Sequence, residues 1–385
     1  MIDHVVYLDN NATTQIDERV FIEMLPFFKQ HYGNPSSKYY PQAEIAKKAV
    51  ESSRLRCANL IGAVQQEIIF TSGATESNNL AIKGYCLANS SKGKHIVTSF
   101  IEHRSVLDPI KELEMSGFNV TYLEPDHYGK ISVEKVEKAI SSNTILVTIM
   151  FANNELGTIN PIDKISEVCK KKNVVFHCDA TQAVGKIPIN LKNMPVDMLS
   201  FSGHKIYGPK GAGTLYIRKK LPKVKLLPLI RGGEQEDGLR SGTLNSPCVV
   251  GLGSACELAG KLMFEDIKRI HTLSGKLVKN LNLLGGITFN NHPRERLPGT
   301  LNLSIDGVNA ELLLSRISDR VALSSGSACT SSKTEPSHVL KGIGLTDSMA
   351  KSTIRVSIGR FNTEDEIDFV SDILIKEIKQ LRTFS

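Results

Sequence analysis

VVFHCDATQ, residues 174–182, is an apolar, β-branched run that ends on a carboxylate, Asp179. Apolar side chains on both phases are the mark of a strand buried on both faces, as in a parallel sheet covered by helices. Outward from it the same grammar repeats. Candidate strands are Glu67–Phe70, His95–Thr98, Val120–Leu123, Ile145–Phe151 and Met198–Phe201; helix-like stretches at Glu76–Ala88, Ser105–Met115, Val133–Ile140 and Ile162–Lys171 separate them. Strands alternating with helices predict an α/β fold with a large, mainly parallel sheet. In such sheets ligands sit beyond the carboxyl ends of the strands, where Asp179 falls.

The pattern changes near Gly251–Gly260. A long amphipathic helix is predicted from about Leu262 to Leu284, then strands at Gly286–Asn290, Gly299–Ile305 and Ile354–Ser357 with helices at Ala310–Ile317 and Glu364–Leu381. This describes a smaller α+β domain, with Tyr7–Leu8 packing near it. The expected division is 15–260 for the large domain, and 1–14 with 261–385 for the small one. The chain has 385 residues, 41% hydrophobic and 23% charged, which supplies a sizeable core and excludes long disorder or a small stapled scaffold. Its net charge of +7 is spread without a dense basic block, so direct nucleic-acid binding is not expected. The longest apolar run, Ile145 to Ala152, is far short of the ~18 residues of a membrane span, and MIDHVVYLDNN has no apolar signal core. The seven cysteines (57, 86, 169, 178, 248, 256 and 329) are odd in number and lack C-x-x-C spacing. That argues against a disulfide framework and against a metal site, and for a reducing cytoplasm.

Four stretches carry chemistry. A carboxylate at the end of a buried strand, Asp179, can pair with a cationic ring nitrogen. Lys205, in SFSGHKIYGPKGAG (200–213), sits in a turn just after an apolar strand, where an amine can form a Schiff base with a carbonyl cofactor. Ser202 and His204 flank it and can hold phosphate oxygens. In FTSGATESNNLAIKG (70–84) a strand breaks at Ser72-Gly73-Ala74-Thr75 into a helix start, a place for an anion, with Asn78 and Asn79 adding polar groups. His103, after a strand in FIEHRS, can stack on a flat heterocycle and move protons. Each alone has a plain alternative: a capping aspartate, a surface lysine, a capped helix start, a structural histidine. Their company in one sheet favours a pyridoxal-phosphate site.

With these motifs in place the chain resembles the cysteine desulfurases of the NifS/IscS type, which are fold-type-I pyridoxal-phosphate enzymes. The resemblance runs from YLDNNATT (7–14) and GNPSS (33–37) through TSGATESNN (71–79), ANNELGTINPI (152–162), HCDATQAVGK (177–186) and RSGTLN (240–245) to SSGSACTS (324–331) and IRVSIGRF (354–361). It implies that Lys205 carries the cofactor, Asp179 pairs with the pyridine N–H, Gln182 touches the phenolic oxygen, and His103 stacks on the ring as an acid/base. It implies phosphate ligands at Ala74, Thr75, Ser202 and His204, with Thr243 reaching the phosphate of the other subunit of a homodimer. Asn10, Ala12, Asn154 and Arg355 are implied substrate holders for L-cysteine, Arg355 gripping its carboxylate. Cys329, in a Gly/Ser-rich loop of the long-loop class, is the implied persulfide carrier that passes sulfur to an acceptor protein; the other cysteines read as small apolar fillers. The pathways such enzymes feed are iron–sulfur cluster assembly, tRNA thiolation and DNA phosphorothioation. The chain stops at Ser385, soon after its last helix, so a C-terminal tail that docks a scaffold in some relatives is not expected. A selenocysteine lyase or an aminotransferase on the same fold is the alternative; an aminotransferase needs no thiol.

Overall fold

The computed structural model describes residues 2–220, 224–325 and 336–383. Within them the apolar runs pair into one seven-stranded sheet: β1 (Ile68–Thr71), β2 (His95–Ser99), β3 (Asn119–Leu123), β4 (Thr144–Thr148), β5 (Val175–Asp179), β6 (Met198–Ser202) and β7 (Gly213–Ile217). The order is β1-β7-β6-β5-β4-β2-β3. Neighbours from β6 to β3 are parallel, and β7 runs antiparallel to both β6 and β1. Strands β4, β6 and β7 are buried along their whole length, because helices cover both faces.

Strand β7 was not among the expected strands. The glycines of residues 208–213 read as turn, and Gly213 in fact opens the strand. Its missing side chain has a reason: a Cβ there would stand 2.5 Å from the Cα of Gly73. The strand can run beside the 72–75 turn only because residue 213 is glycine.

The long helix also differs from expectation. It runs over Ser246–Asn282, starting well before Leu262, with the Asn245 side chain accepting from the Cys248 N–H at its first turn. Gly251, Gly253 and Gly260 lower helix propensity and look like a break, but burial overrides propensity here. Val249, Leu252, Ala255 and Cys256 pack into the core under the large sheet, whereas Leu273, Leu277 and Leu281 pack into a second core. By length and composition this helix meets the requirement for crossing a membrane, and the two cores account for its apolar face.

The second core lies on a four-stranded antiparallel sheet ordered Ser324–Ser325, Thr353–Ser357, Thr300–Ile305, Ile287–Phe289, with the helices Ala310–Ile317 and Glu364–Thr383. Val6 and Leu8 belong to that core, and Val6–Tyr7 pairs parallel with Val321–Ala322. The N-terminal segment therefore starts in the smaller unit. It then crosses to the large sheet at Thr14, whose N–H donates to the His204 carbonyl at 2.9 Å.

Candidate active site

Asp179 is the last residue of β5 and Lys205 closes the short helical turn Gly203–Lys205 that follows β6. Adjacent parallel strands thus deliver both side chains at their carboxyl ends. Asp179 is buried and accepts from Asn78 Nδ2 at 2.8 Å and from the Thr181 N–H at 3.0 Å. Lys205 Nζ donates to the carbonyls of Asn11 (2.7 Å) and Ala12 (2.5 Å). Burial, with the nearby Arg355 guanidinium, pulls the Lys205 amine down to about 8. A larger fraction of it is therefore neutral and nucleophilic near physiological pH than for a lysine in water.

The 72–75 turn meets these strand ends from the other side. A continuous helical run follows it (Ala74–Asn79, a wide turn at Leu80–Gly84, then Tyr85–Asn89), so the first N–H groups of that run are open to an anion. A Cβ on Gly73 would meet only Ser202 Oγ, at 3.8 Å, which places the Ser202 hydroxyl beside the turn. Glu76 secures it, accepting from the Ser72 N–H at 2.7 Å and from Arg240 Nε at 3.0 Å. His204 Nδ1 lies 3.1 Å from Thr13 Oγ1, and burial beside Lys205 lowers its pKa to about 4, so its ring is neutral.

His103 caps the helix Arg104–Met115, its Nδ1 accepting from the Ser105 N–H at 3.1 Å. That acceptor role leaves the ring proton on Nε2. Burial lowers its pKa as well, against the attraction of Asp179. Ser105 Oγ is 2.8 Å from His103 Nδ1 and accepts from Asn78 Nδ2 at 2.8 Å. One amide, Asn78, thus ties the histidine cap to the Asp179 carboxylate. Ser105 had no role in the sequence reading, although it lies inside the EHRS motif.

Arg355, in the middle of Thr353–Ser357, brings the smaller sheet to the site. Its Nη2 pairs with Asp9 Oδ1 at 2.6 Å and its Nη1 donates to the Asn154 carbonyl at 3.1 Å, while Nε is buried without a partner. Asn154 and Ala12 contribute carbonyls to this corner. The Asn10 side chain is engaged elsewhere, donating to the Ser357 carbonyl at 2.8 Å and to Asn362 Oδ1 at 3.3 Å. Its neighbour Asn11 stands at the centre instead: its carbonyl takes Lys205 Nζ and also Gln182 Nε2, the latter at 2.9 Å. Thr243 is exposed and forms no part of this cluster. Cys329 lies outside the described residues. The described chain stops at Ser325, where Ser324–Ser325 pairs with Ile354 and Arg355, and resumes at 336. Ser337 then donates to Glu155 Oε2 at 2.6 Å.

Two buried carboxyls back the site. Burial pushes Glu102 up to about 8 and Glu155 up to about 7, the latter against the pull of Ser337 and Arg355. Raised folded-state values mean that the fold prefers both groups protonated. Their contribution is complete below the ordinary carboxylate range and is lost as pH rises through 7 to 8. Glu102→Gln is therefore expected to raise the melting temperature at pH 8.5 by more than at pH 5. Equal shifts at the two pH values would clear Glu102 as the source.

With the geometry set, likeness to known proteins is informative. The profile described as Aminotransferase class-V matches residues 6–370. A cysteine desulfurase of Mus musculus is 48% identical over 381 residues, covering 99% of this chain and 83% of that protein. Among solved structures, a NifS-like protein superposes with a TM-score of 0.91 at 39% identity, covering 99% of this chain and all (100%) of the other. A structure described as SspA in complex with cysteine gives 0.81 at 39% identity, covering 93% of this chain and 100% of the other. A match over nearly the whole chain, on a fold that joins a strand-end lysine to a strand-end aspartate, leaves one assignment: the chain belongs to the class-V aminotransferase family, among the cysteine desulfurases of the NifS/IscS type.

Proposed function

We propose that this protein removes sulfur from L-cysteine with pyridoxal phosphate held at Lys205, releasing L-alanine and leaving a persulfide on Cys329. The observation that carries the reading is the convergence of Lys205, Asp179 and His103 at the carboxyl ends of β5 and β6 and at the cap that faces them. The donor set fits the cofactor. Asp179 offers an anion to a ring N–H, Ala74 and Thr75 offer backbone N–H groups, Ser202 and His204 offer side chains to a phosphate, and Lys205 offers an amine with a pKa of about 8. Bound there, the cofactor supplies an electron sink for the bond between substrate carbon and sulfur.

The rest is the work of the chain. Lys205 carries the α-proton, for which a pKa of about 8 suits a group that must both take and give it near neutral pH. His103, with its proton on Nε2, is a second donor. Arg355 holds the substrate carboxylate with its planar fork, exchanging Asp9 for the ligand. A Cys329 thiolate attacks the substrate sulfur; the S–S bond forms as the carbon–sulfur bond breaks, and its electron pair goes to the β-carbon, which is protonated to give alanine. The attacking thiol is oxidised to a persulfide as that carbon is reduced, so no outside oxidant is needed. Of the six cysteines described, five are buried and Cys248 is half-buried, so none is placed to act as a free nucleophile. Ser324 pairs with Arg355 and Ser325 with Ile354, and the four residues from Ser325 to Cys329 can span up to about 14 Å.

Two copies are proposed to work together, with exposed Thr243 reaching the phosphate of the other, and the persulfide passes to an acceptor protein in a reducing cytoplasm, in keeping with the free cysteines. The test is product analysis with purified protein, the coenzyme and L-cysteine. Equimolar alanine and transferable sulfur support the reading; pyruvate or another keto acid would replace it with transamination or elimination. In the same assay Arg355→Lys is expected to raise KM for L-cysteine ~10–100-fold, the value of a charged hydrogen-bonded pair. A fall in kcat with KM unchanged would remove Arg355 as the carboxylate holder.

A further inference from the structure

No step above uses the amine of Lys186. It lies on the turn that leaves β5, and its Nζ donates to Gln182 Oε1 at 2.7 Å and to Asn11 Oδ1 at 3.1 Å. The charges acting on it belong to Lys205 and Arg355, both of its own sign; burial first, then these two, pull its pKa down to about 7. Keeping a cation there works against solvation and against its neighbours, so its hydrogen bonds must account for its place. Nor can it withdraw easily. Gly185 has a φ of +75°, and a Cβ there would stand 2.6 Å from Ile206 Cγ2, so the turn is pressed against the residue that follows Lys205.

An ammonium has three donors and no acceptor, so the two amides it meets must both present their oxygens. That choice sets where their nitrogens point. Gln182 Nε2 is aimed at the Asn11 carbonyl at 2.9 Å, the same oxygen that accepts Lys205 Nζ at 2.7 Å. Asn11 Nδ2 is aimed at Thr300 Oγ1 (2.9 Å) and at the Asn154 carbonyl (3.2 Å), which also accepts Arg355 Nη1. Without Lys186 only the Asn11 carbonyl distinguishes the two ends of the Gln182 amide, and Lys205 Nζ shares that oxygen. A flipped Gln182 would turn an oxygen, in place of an N–H, toward any anion held beside Lys205.

We propose that Lys186 is a positioning residue that fixes the Gln182 amide with its N–H side toward the phenolic oxygen of the cofactor, acting through Gln182 and Asn11 and touching neither cofactor nor substrate. This deepens the function proposed above and rests on it.

The test is the dissociation constant of pyridoxal phosphate for the apoprotein, read by absorbance titration with melts recorded in parallel. Lys186→Met is expected to bind about tenfold more weakly, the value of one charge-assisted hydrogen bond. Lys186→Arg, which keeps a charged donor, should recover most of that, and Lys186→Gln a part; these two carry the comparison if Lys186→Met does not fold. In a Gln182→Ala background Lys186→Met should add almost nothing, since residues acting through one another are not additive. Wild-type affinity in folded Lys186→Met, or the same further loss with Gln182 already removed, overturns the inference and leaves the function standing. Wild-type protein that binds no coenzyme overturns both.

Discussion

Lys205→Ala, purified with the coenzyme present, is expected to lack the visible absorbance of a lysine-bound pyridoxal and to lose turnover of L-cysteine on the order of 10⁴-fold. The two losses have one cause. Lys205 Nζ sits within 2.7 Å of the Asn11 and Ala12 carbonyls, at the end of a turn fixed by the Thr14 contacts to His204. No other amine of the described cluster matches it. Lys186 is held by two side-chain amide oxygens, so it is not expected to substitute. Asp179, Ser202 and His204 remain in the variant, so the coenzyme should still be taken up without a covalent bond and be removed by dialysis. A yellow Lys205→Ala protein that keeps its colour after dialysis would sink the assignment of Lys205.

The parts of the site legible in the sequence are those that secondary structure alone positions. Asp179 ends an apolar strand and Lys205 closes the three-residue turn after the next one, so the carboxyl ends of the strands place them without knowledge of longer loops. His103 and the 72–75 turn are read the same way, from the junction between a strand and a helix. The residues that escaped notice are held by long-range crossings. Asn10 and Asn11 are neighbours in an irregular strap, and which of them faces Lys205 depends on the Asn11 N–H meeting Ser357 Oγ at 3.0 Å, a contact made by the far end of the chain. Lys186 looks like an ordinary solvent lysine until the turn is seen folded back on Ile206. In the fold, β7 and the first half of the long helix were obscured by glycine, whose low propensity is a local signal. Close backbone approach at Gly73 and Gly213, and burial of Val249 to Cys256, decide those segments instead.

Cys329→Ala is expected to separate the two halves of the reaction. The absorbance of the bound coenzyme should be that of the wild type, because Lys205, Asp179 and His103 are untouched. Alanine release without added thiol should fall at least ~10³-fold, as when a covalent nucleophile is removed. The argument is partly one of position. Both described ends of the 326–335 stretch are anchored near Arg355 and Asn154, one through the pairing of Ser324 with Arg355, the other through Ser337 on Glu155, the residue after Asn154. It is partly one of chemistry. Burial raises the thiols of Cys86 and Cys169 to about 12 and holds those of Cys178 and Cys256 well above the usual thiol value, so at neutral pH none of these offers a thiolate. Small thiols added to Cys329→Ala should restore part of the alanine release by accepting the sulfur themselves. Wild-type turnover in the variant without any added thiol would take Cys329 out of the mechanism and leave sulfur departing by another route.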